Sequence, residues 1–552
     1  MAAPYYYDHG VPRHTAGLVR AYTDSGWWGM ETLYSAFEKA AQHYGNRIAL
    51  VDRNGTVSYA ALCERVERLA SAFHARGVTP GTVVVVQLPN RTEFVETAFA
   101  AARLGALFCP LNLRLRGEIE GILGLTEPPL VVIPAAEATF DYPAFIRKMQ
   151  SRLSHRSHIV VIGQPAAEGL EPFDTLRQSP VENLPPQPDA NDPWLLEFTS
   201  GTTAAPKGVV QSHNTTLFTL RALVEVYRTL TPDSDDVGLA ALPISFIFPF
   251  YVAVLLQLVN GATSVLQESV APEDTLALVA KHRVTLFPTV PALVDRLLEA
   301  QSTAHWDLSS LRVIKIAGDI ASRERKKGLM EAMGCDVRDA YGLTECTWPV
   351  GMPPDAPLEK KLSTTGRVCR GMTLRIVDES GADVGPGIVG QIMVRGPSLM
   401  AGYYRNPEAT REAVNDDGWF ATGDLGVLDG DGYLQVVGRK KDLIITGGVN
   451  VLPQEVEEWL ARHARVKQAA VFGVPDLRTG EAVWACVVPR PGANLTEDEL
   501  QEFLRGRIAA YKIPDRVLIV EELPVSPTGK VLRRELKERT VSEHLPLQTS
   551  GG

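Results

Sequence analysis

The sequence predicts an α/β protein: a large N-terminal domain of doubly wound sheets ending in a small β-barrel-like unit, followed by a small α+β domain toward the C-terminus. Three observations carry this reading. Residues 82–86 are an unbroken β-branched run between helix-patterned stretches at 61–76 and 93–104, as for a parallel strand covered on both faces. After about residue 365 the pattern shifts to short strands and glycine turns, at 373–377, 390–394 and 432–437. Toward the C-terminus a separate alternation begins, with a helix at 453–462 and strands at 469–472 and 483–488. It continues with a helix opened by the capping box Thr496-Glu497-Asp498-Glu499, which turns Leu500, Phe503, Leu504 and Ile508 to one face.

In chain order, strand-like and helix-like runs alternate from about residue 48 to 291. The Pro-rich polar stretch 180–193 reads as a linker or surface loop, and a new unit begins at Trp194. Boundaries follow at 1–438 (subdivided into 1–190, 191–365 and 366–438), at 441–540, and at 541–552 for a disordered tail.

Composition sets limits on partners and location. The chain has 552 residues, 45% hydrophobic and 22% charged, enough for several packed cores without disulfide or metal staples. A net charge of -10 supplies no basic field for nucleic acid or an anionic membrane, so any phosphate must sit in a local site. Six scattered cysteines without a C-x-x-C pair fit a reducing, cytoplasmic setting, and the first 22 residues lack the apolar core of a signal peptide. Residues 237–267 carry no charge, yet Pro243 and Pro249 should break a helix there, and Ser245, Gln257, Asn260 and Gly261 dilute the run. A strand, an irregular loop and a core helix are expected, not a membrane span.

The stretch Phe198-Thr199-Ser200-Gly201-Thr202-Thr203-Ala204-Ala205-Pro206-Lys207-Gly208 follows an apolar strand at 194–198 and gathers hydroxyls, small residues and one lysine. Such a loop surrounds phosphate oxygens with backbone N–H and hydroxyl donors, while the lysine adds charge. It is not a Walker loop, and alone it reads equally as a flexible turn. Four companions follow in order: Tyr341-Gly342-Leu343-Thr344-Glu345, Gly418-Trp419-Phe420-Ala421-Thr422-Gly423-Asp424, Gly438-Arg439-Lys440-Lys441-Asp442, and Pro527-Thr528-Gly529-Lys530.

With these five motifs the chain, from about residue 27 to 537, resembles the adenylate-forming superfamily of acyl-CoA synthetases, adenylation domains and luciferases, and most of all its ligases for aryl or alicyclic acids. The resemblance implies roles. Thr199, Ser200, Gly201, Thr202, Thr203 and Lys207 would hold the β- and γ-phosphates of ATP. Tyr341, with Gly342, would stack on adenine, and Gly318 and Asp319 would lie between adenine and the acyl pocket. Thr344 would contact the α-phosphate, Glu345 would help ligate Mg²⁺, and Asp424, reinforced by Arg439, would take the ribose hydroxyls. Lys530 would bridge the carboxylate and the α-phosphate. Lys441 matches the family's hinge, about which the mobile small domain rotates after adenylation. Gly447 and Gly448 would then let the pantetheine arm of CoA approach.

The chemistry calls for these residue types. A carboxylate attacking the α-phosphorus of ATP brings two anions together, and charge gathers as pyrophosphate leaves, so cations and fixed donors must offset it. Taken singly, Lys530 reads as a solvated lysine before a helix, Glu345 and Asp424 as caps or turns, Lys441 as an exposed charge, and Gly447-Gly448 as a simple turn.

Three positions depart from patterns of the family. Ala204 stands where glycine is usual, and Phe246 stands where many relatives have histidine. Ile247 replaces the asparagine by which dihydroxybenzoate ligases read a ring hydroxyl. Phe246, Ile247 and Phe248 therefore predict an apolar pocket for a bulky aromatic or alicyclic acid, unless they are merely core. Three other patterns carry no chemistry: residues 385–390 mimic a dinucleotide fingerprint, residues 429–432 mimic a calcium loop, and His155 and His158 lack metal partners. The expected activity is ATP- and Mg²⁺-dependent formation of acyl-AMP, then transfer to CoA. The alternatives are an adenylation enzyme serving a carrier protein or partner enzyme outside the chain, and a regulatory protein with a degenerate ATP site.

Overall fold

The structure, a computed structural model, describes residues 5–135, 140–163, 169–199, 206–227, 235–525 and 531–544. By its internal contacts the chain divides into one unit of residues 1–374 with 394–420 and another of 375–393 with 421–552.

The first unit holds two large sheets. In one, the strands run in the order Gly402–Tyr403, Lys207–Ser212, Pro193–Thr199, Leu107–Pro110, Val83–Val86, Leu130–Pro134, His158–Ile162 and Glu171–Pro172. Pairing is parallel from Pro193–Thr199 to Glu171–Pro172. It is antiparallel at the other edge. In the second sheet a parallel run, Asp336–Tyr341, Val313–Ile316, Leu286–Thr289, Val237–Ala240, Thr263–Leu266 and Ile48–Asp52, is flanked by short antiparallel strands. The helix Thr92–Leu104 is buried at every residue but Arg103. It packs in one core with Val84 and Val86 of the first sheet and Leu50 and Ala240 of the second. Shared helices between two parallel sheets explain why its sequence, TEFVETAFAAARL, is apolar well beyond one face.

Three sequence expectations change. The stretch 180–193 does not separate one sheet from the other, because Pro193–Thr199 pairs with Leu107–Pro110 while the early strand Ile48–Asp52 joins the second sheet. Pattern gives the elements; it does not reveal pairings between distant strands. Pro249 does not break a helix. It ends the short turn Ile247–Pro249 that leads into Phe250–Leu255 and Leu256–Val259, and a proline in a first helical turn forfeits no backbone bond. The middle segment is a π-helix, whose Val252 and Ala253 carbonyls accept bonds from Gln257 at 3.0 Å and Ser264 at 2.7 Å. Finally, the helix Arg533–His544 runs into the expected tail, where Val541 packs on the core; residues 545–552 lie outside the described residues. Among the described residues no helix is long and apolar enough to cross a membrane.

The second unit carries neighbouring strands Thr373–Val377, Gly390–Arg395, Phe420–Leu428 and Tyr433–Arg439. Residues 429–432 are a hairpin turn, as expected, with the Asp429 carboxylate accepting from the Asp431 and Tyr433 amides at 2.9 Å each. The long hairpin Val466–Asp476 and Gly480–Pro489 is almost continuously apolar because both faces are covered. Val471, Val483 and Ala485 meet the helices Pro453–Ala461 and Glu497–Leu504 on one side, and Phe472 and Trp484 meet Leu536 of Arg533–His544 on the other.

In the first unit the rings of Phe108, Phe94, Phe250 and Trp194 form one cluster, with Phe108 5.2 Å from Phe94 and 6.5 Å from Trp194. Truncating Phe108 to Ala leaves a large void in it and should cost about 3–5 kcal/mol, read as a lower urea midpoint for this unit.

Candidate active site

The first unit gathers most of the expected residues at the carboxyl ends of its parallel strands, where ligands of open α/β sheets bind. Thr199 and Lys207 close a hairpin: they are paired in register, and the Thr199 hydroxyl donates to the Lys207 carbonyl at 3.4 Å. Ser200, Gly201, Thr202, Thr203 and Ala204 lie outside the described residues, as does Lys530 with Pro527, Thr528 and Gly529.

Beside Lys207 stands a residue the motifs do not announce. Tyr403, on the short edge strand, lies with its ring centroid 5.0 Å from the Lys207 ammonium and donates its hydroxyl to Glu345 at 2.9 Å. Burial first, and then the Glu345 carboxylate, raise the phenol's pKa, so Tyr403 stays a donor. The Gly402-Tyr403-Tyr404 run after a glycine-rich stretch is the available signal. Two further bonds dock the 341–345 segment: Gln211 donates to the Thr344 carbonyl at 2.8 Å, and the Met400 amide donates to the Glu345 carbonyl at 2.7 Å. Tyr341 ends its strand buried. At Gly342 a Cβ would fall 1.7 Å from the Thr347 carbonyl oxygen, so only glycine fits that turn. On the neighbouring strand, Gly318 sits at φ +88° and leaves itself and Asp319 exposed just past Val313–Ile316. Asp319 accepts from the Ile320 amide at 2.9 Å.

The turn with Phe246, Ile247 and Phe248 follows the strand Val237–Ala240. Asn90 pins its approach, donating to the Ala240 and Leu242 carbonyls at 3.0 and 2.8 Å and accepting from Ile244 at 2.8 Å. All three residues are half-buried, with Ile247 and Phe248 packed against the hydrophobic core, whereas Phe250–Leu255 are fully buried. Phe248 meets Trp348 at 5.4 Å between ring centroids. Behind Trp348 lies the buried Lys315, its nitrogen 3.6 Å from the ring centroid and its pKa held well below the usual lysine range by burial. Trp348 follows the Tyr341–Glu345 motif by three residues, and that closeness is its only sequence signal.

In the second unit Asp424 and Arg439 are register partners on adjacent strands, with guanidinium Nε 3.2 Å from the mostly buried carboxylate. The Asp424 amide donates to Thr422 at 3.1 Å, and Gly423 adopts φ +73°. Lys441 is exposed within the turn Lys440–Asp442. Gly447 and Gly448, at φ +56° and +79°, join the strands Ile444–Thr446 and Val449–Val451 with open space around both.

Among the described residues no cluster of three or more His, Cys, Asp or Glu can cage a metal. The single Glu345 carboxylate nevertheless fits Mg²⁺, which binds through one or two carboxylates and completes its shell with phosphate oxygens and water. His158 is paired with Glu171 at 2.8 Å.

Comparison with known proteins gives the family. Residues 37–404 match the family described as AMP-binding enzyme, and residues 455–530 match the AMP-binding enzyme C-terminal domain. The chain is 36% identical over 532 residues to 2,3-dihydroxybenzoate-AMP ligase of Bacillus subtilis, covering 96% of this chain and 97% of that one. It is 35% identical to indoleacetate–CoA ligase of Aromatoleum aromaticum, over 89% of this chain and 95% of that one. The crystal structure of the anthranilate CoA ligase AuaEII in complex with anthranoyl-AMP is similar at a TM-score of 0.85 and 26% identity, covering 93% of this chain and 98% of that one. The family match from residue 37 to 404 and again from 455 to 530, with the identity to these ligases along nearly the whole chain, places this protein in the AMP-binding enzyme family, the adenylate-forming superfamily of acid ligases.

Proposed function

We propose that this ligase activates a bulky, hydrophobic aromatic or alicyclic carboxylic acid as its acyl-adenylate and then transfers the acyl group to CoA. The Lys207–Tyr403–Glu345 constellation carries the adenylation half of the reading, since it sets a cation and an oriented carboxylate side by side where polyphosphate must be held. The half-buried Phe246, Ile247 and Phe248, with Phe248 set against the buried Trp348, support the acid class.

In this mechanism Thr199, Ser200, Gly201, Thr202, Thr203 and Lys207 hold the β- and γ-phosphates, Thr344 contacts the α-phosphate, and Tyr341 with Gly342 receives adenine. Asp424, held by Arg439, accepts the ribose hydroxyls. Bound through Glu345, Mg²⁺ would neutralise phosphate charge as pyrophosphate departs. Gly318 and Asp319 border the acid, whose carboxylate oxygen attacks the α-phosphorus, while Lys530 orients both anions. Rotation about Lys441 then exchanges Lys530 for the thiol, with Gly447 and Gly448 passing the pantetheine arm; their open surroundings suit that use. The free state of all six cysteines fits a cytoplasmic enzyme.

One relative's name favours a second acceptor, since 2,3-dihydroxybenzoate-AMP ligase is named for an AMP product and not for CoA. In that reading the adenylate passes to a carrier protein or partner enzyme.

Mass spectrometry of reactions with Mg·ATP and a panel of aryl, alicyclic and fatty acids, with and without CoA, decides between them. Acyl-AMP that becomes acyl-CoA on adding CoA is the expected result, and acyl-AMP that persists despite CoA selects the carrier route. No adenylate from any acid returns the degenerate, regulatory reading. Lys530→Ala should keep ATP binding by calorimetry while acyl-AMP formation falls by about 10³-fold. Tyr403→Phe removes the phenol's hydrogen bond to the Glu345 carboxylate and should raise the KM for Mg·ATP about tenfold in pyrophosphate exchange, with the KM for the acid unchanged.

A further inference from the structure

Glu197 is a buried carboxyl that none of the motifs uses. It lies on Pro193–Thr199, two residues before Thr199. Strand alternation turns it away from the core that takes Leu196 and Phe198, toward the side of Leu195. It is 6% exposed. One oxygen accepts the Ile247 amide at 3.1 Å, and the other is sealed from solvent with no hydrogen-bond partner. An apolar side chain would complete this interior at lower cost, so the carboxyl calls for an explanation.

The explanation lies at the other end of the bond. Ile247 opens the helical run that continues to Val259, and its amide is among those a helix leaves without an internal partner. The residue in the N-cap position is Phe246, which makes no side-chain cap bond. A sequence that places phenylalanine, isoleucine and phenylalanine on the wall of an acyl pocket has no Ser, Thr, Asp or Asn left for the cap. The cap comes instead from the neighbouring strand.

We infer that Glu197 is a positioning residue for acid activation: its carboxyl caps the Ile247 amide and thereby fixes the turn of Phe246, Ile247 and Phe248, an inference that rests on the acyl pocket proposed above. Burial pushes the carboxyl up to about 8, with Glu345 adding to the rise and the Ile247 amide opposing it. At neutral pH the group is therefore protonated and holds the turn without placing an anion beside an incoming carboxylate. The groups that sense it are Cys109 on Leu107–Pro110, Tyr251 in the same helical run, whose hydroxyl is engaged by Thr216, and Glu345 after Asp336–Tyr341. As the pH rises through 8 the carboxyl becomes a second anion near Glu345, and binding of an acid should weaken.

The test compares the full-length protein with Glu197→Gln and Glu197→Ala in acid-dependent pyrophosphate exchange between pH 6.5 and 9. Glutamine keeps an oxygen for the Ile247 amide and cannot ionise. Its acid KM should stay within about twofold of the parent's at pH 7 and lose the alkaline rise, whereas alanine should raise the acid KM about tenfold with the ATP KM unchanged. An unchanged acid KM in the alanine variant, equal rises for acid and ATP, or a retained alkaline rise in the glutamine variant would overturn the inference. Hydrogen exchange of residues 244–252 in the ligand-free proteins provides an arm independent of activity. Faster exchange in the alanine variant, restored in the glutamine variant, is expected, and equal exchange in all three overturns the cap. If the parent activates no acid, the functional assignment falls, and exchange alone still decides whether Glu197 fixes this turn.

Discussion

The first unit depends on the burial of one helix. Thr92–Leu104 faces strands of both sheets, so the alanines and phenylalanines that cover one sheet also cover the other. Close packing on all sides leaves little freedom, because a shift that relieves one sheet crowds the second. Its amino end is fixed across the interface: Asp52, on a strand of the second sheet, accepts from the Thr92 amide at 3.1 Å and its hydroxyl at 2.8 Å. The acidic residues on this helix are neutralised in place. Glu96, fully buried, meets Arg177 at 2.8 Å and Arg65 at 3.3 Å. The strand-end segments of the first unit that carry candidate site residues rise from the two sheets this packing joins.

A recurring device follows. Where a helix begins without a capping residue of its own, a carboxyl group from a neighbouring strand supplies the missing acceptor: Asp52 for Thr92 and Glu197 for Ile247. This frees the residues at the helix start for other uses, and in the 246–248 turn that use is an apolar surface. Strand and helix are thereby joined by a directional bond as well as by packing.

Much of this is legible in sequence. The β-branched run at 83–86, the doubly covered hairpin strands and the strand before Gly318 all follow from periodicity, because a buried strand admits few polar residues. Of the candidate site, Lys207, Tyr341, Thr344, Glu345, Asp424 and Arg439 sit in contiguous motifs and are visible for that reason. Tyr403, Trp348 and Glu197 act through contacts with residues distant in sequence, and no local pattern encodes such a meeting. The division near residue 190 fails on the same ground, since strand order is a property of pairing between distant segments. Pro249 misleads because proline ends a helix in its interior and is tolerated in its first turn, and sequence alone does not give the phase.

The π-helical segment Phe250–Leu255 bears on how this chain can vary in length. A π turn accommodates an extra residue within an α-helix, and one residue of α-helix corresponds to about 100° of rotation. Because the wider winding of the π turn absorbs that rotation, loss of a single residue inside the segment restores ordinary winding while the 246–248 end and the helix's packed far end keep their relative orientation. The helical run thus admits a one-residue change in chain length at this segment that leaves the 246–248 turn facing as it does.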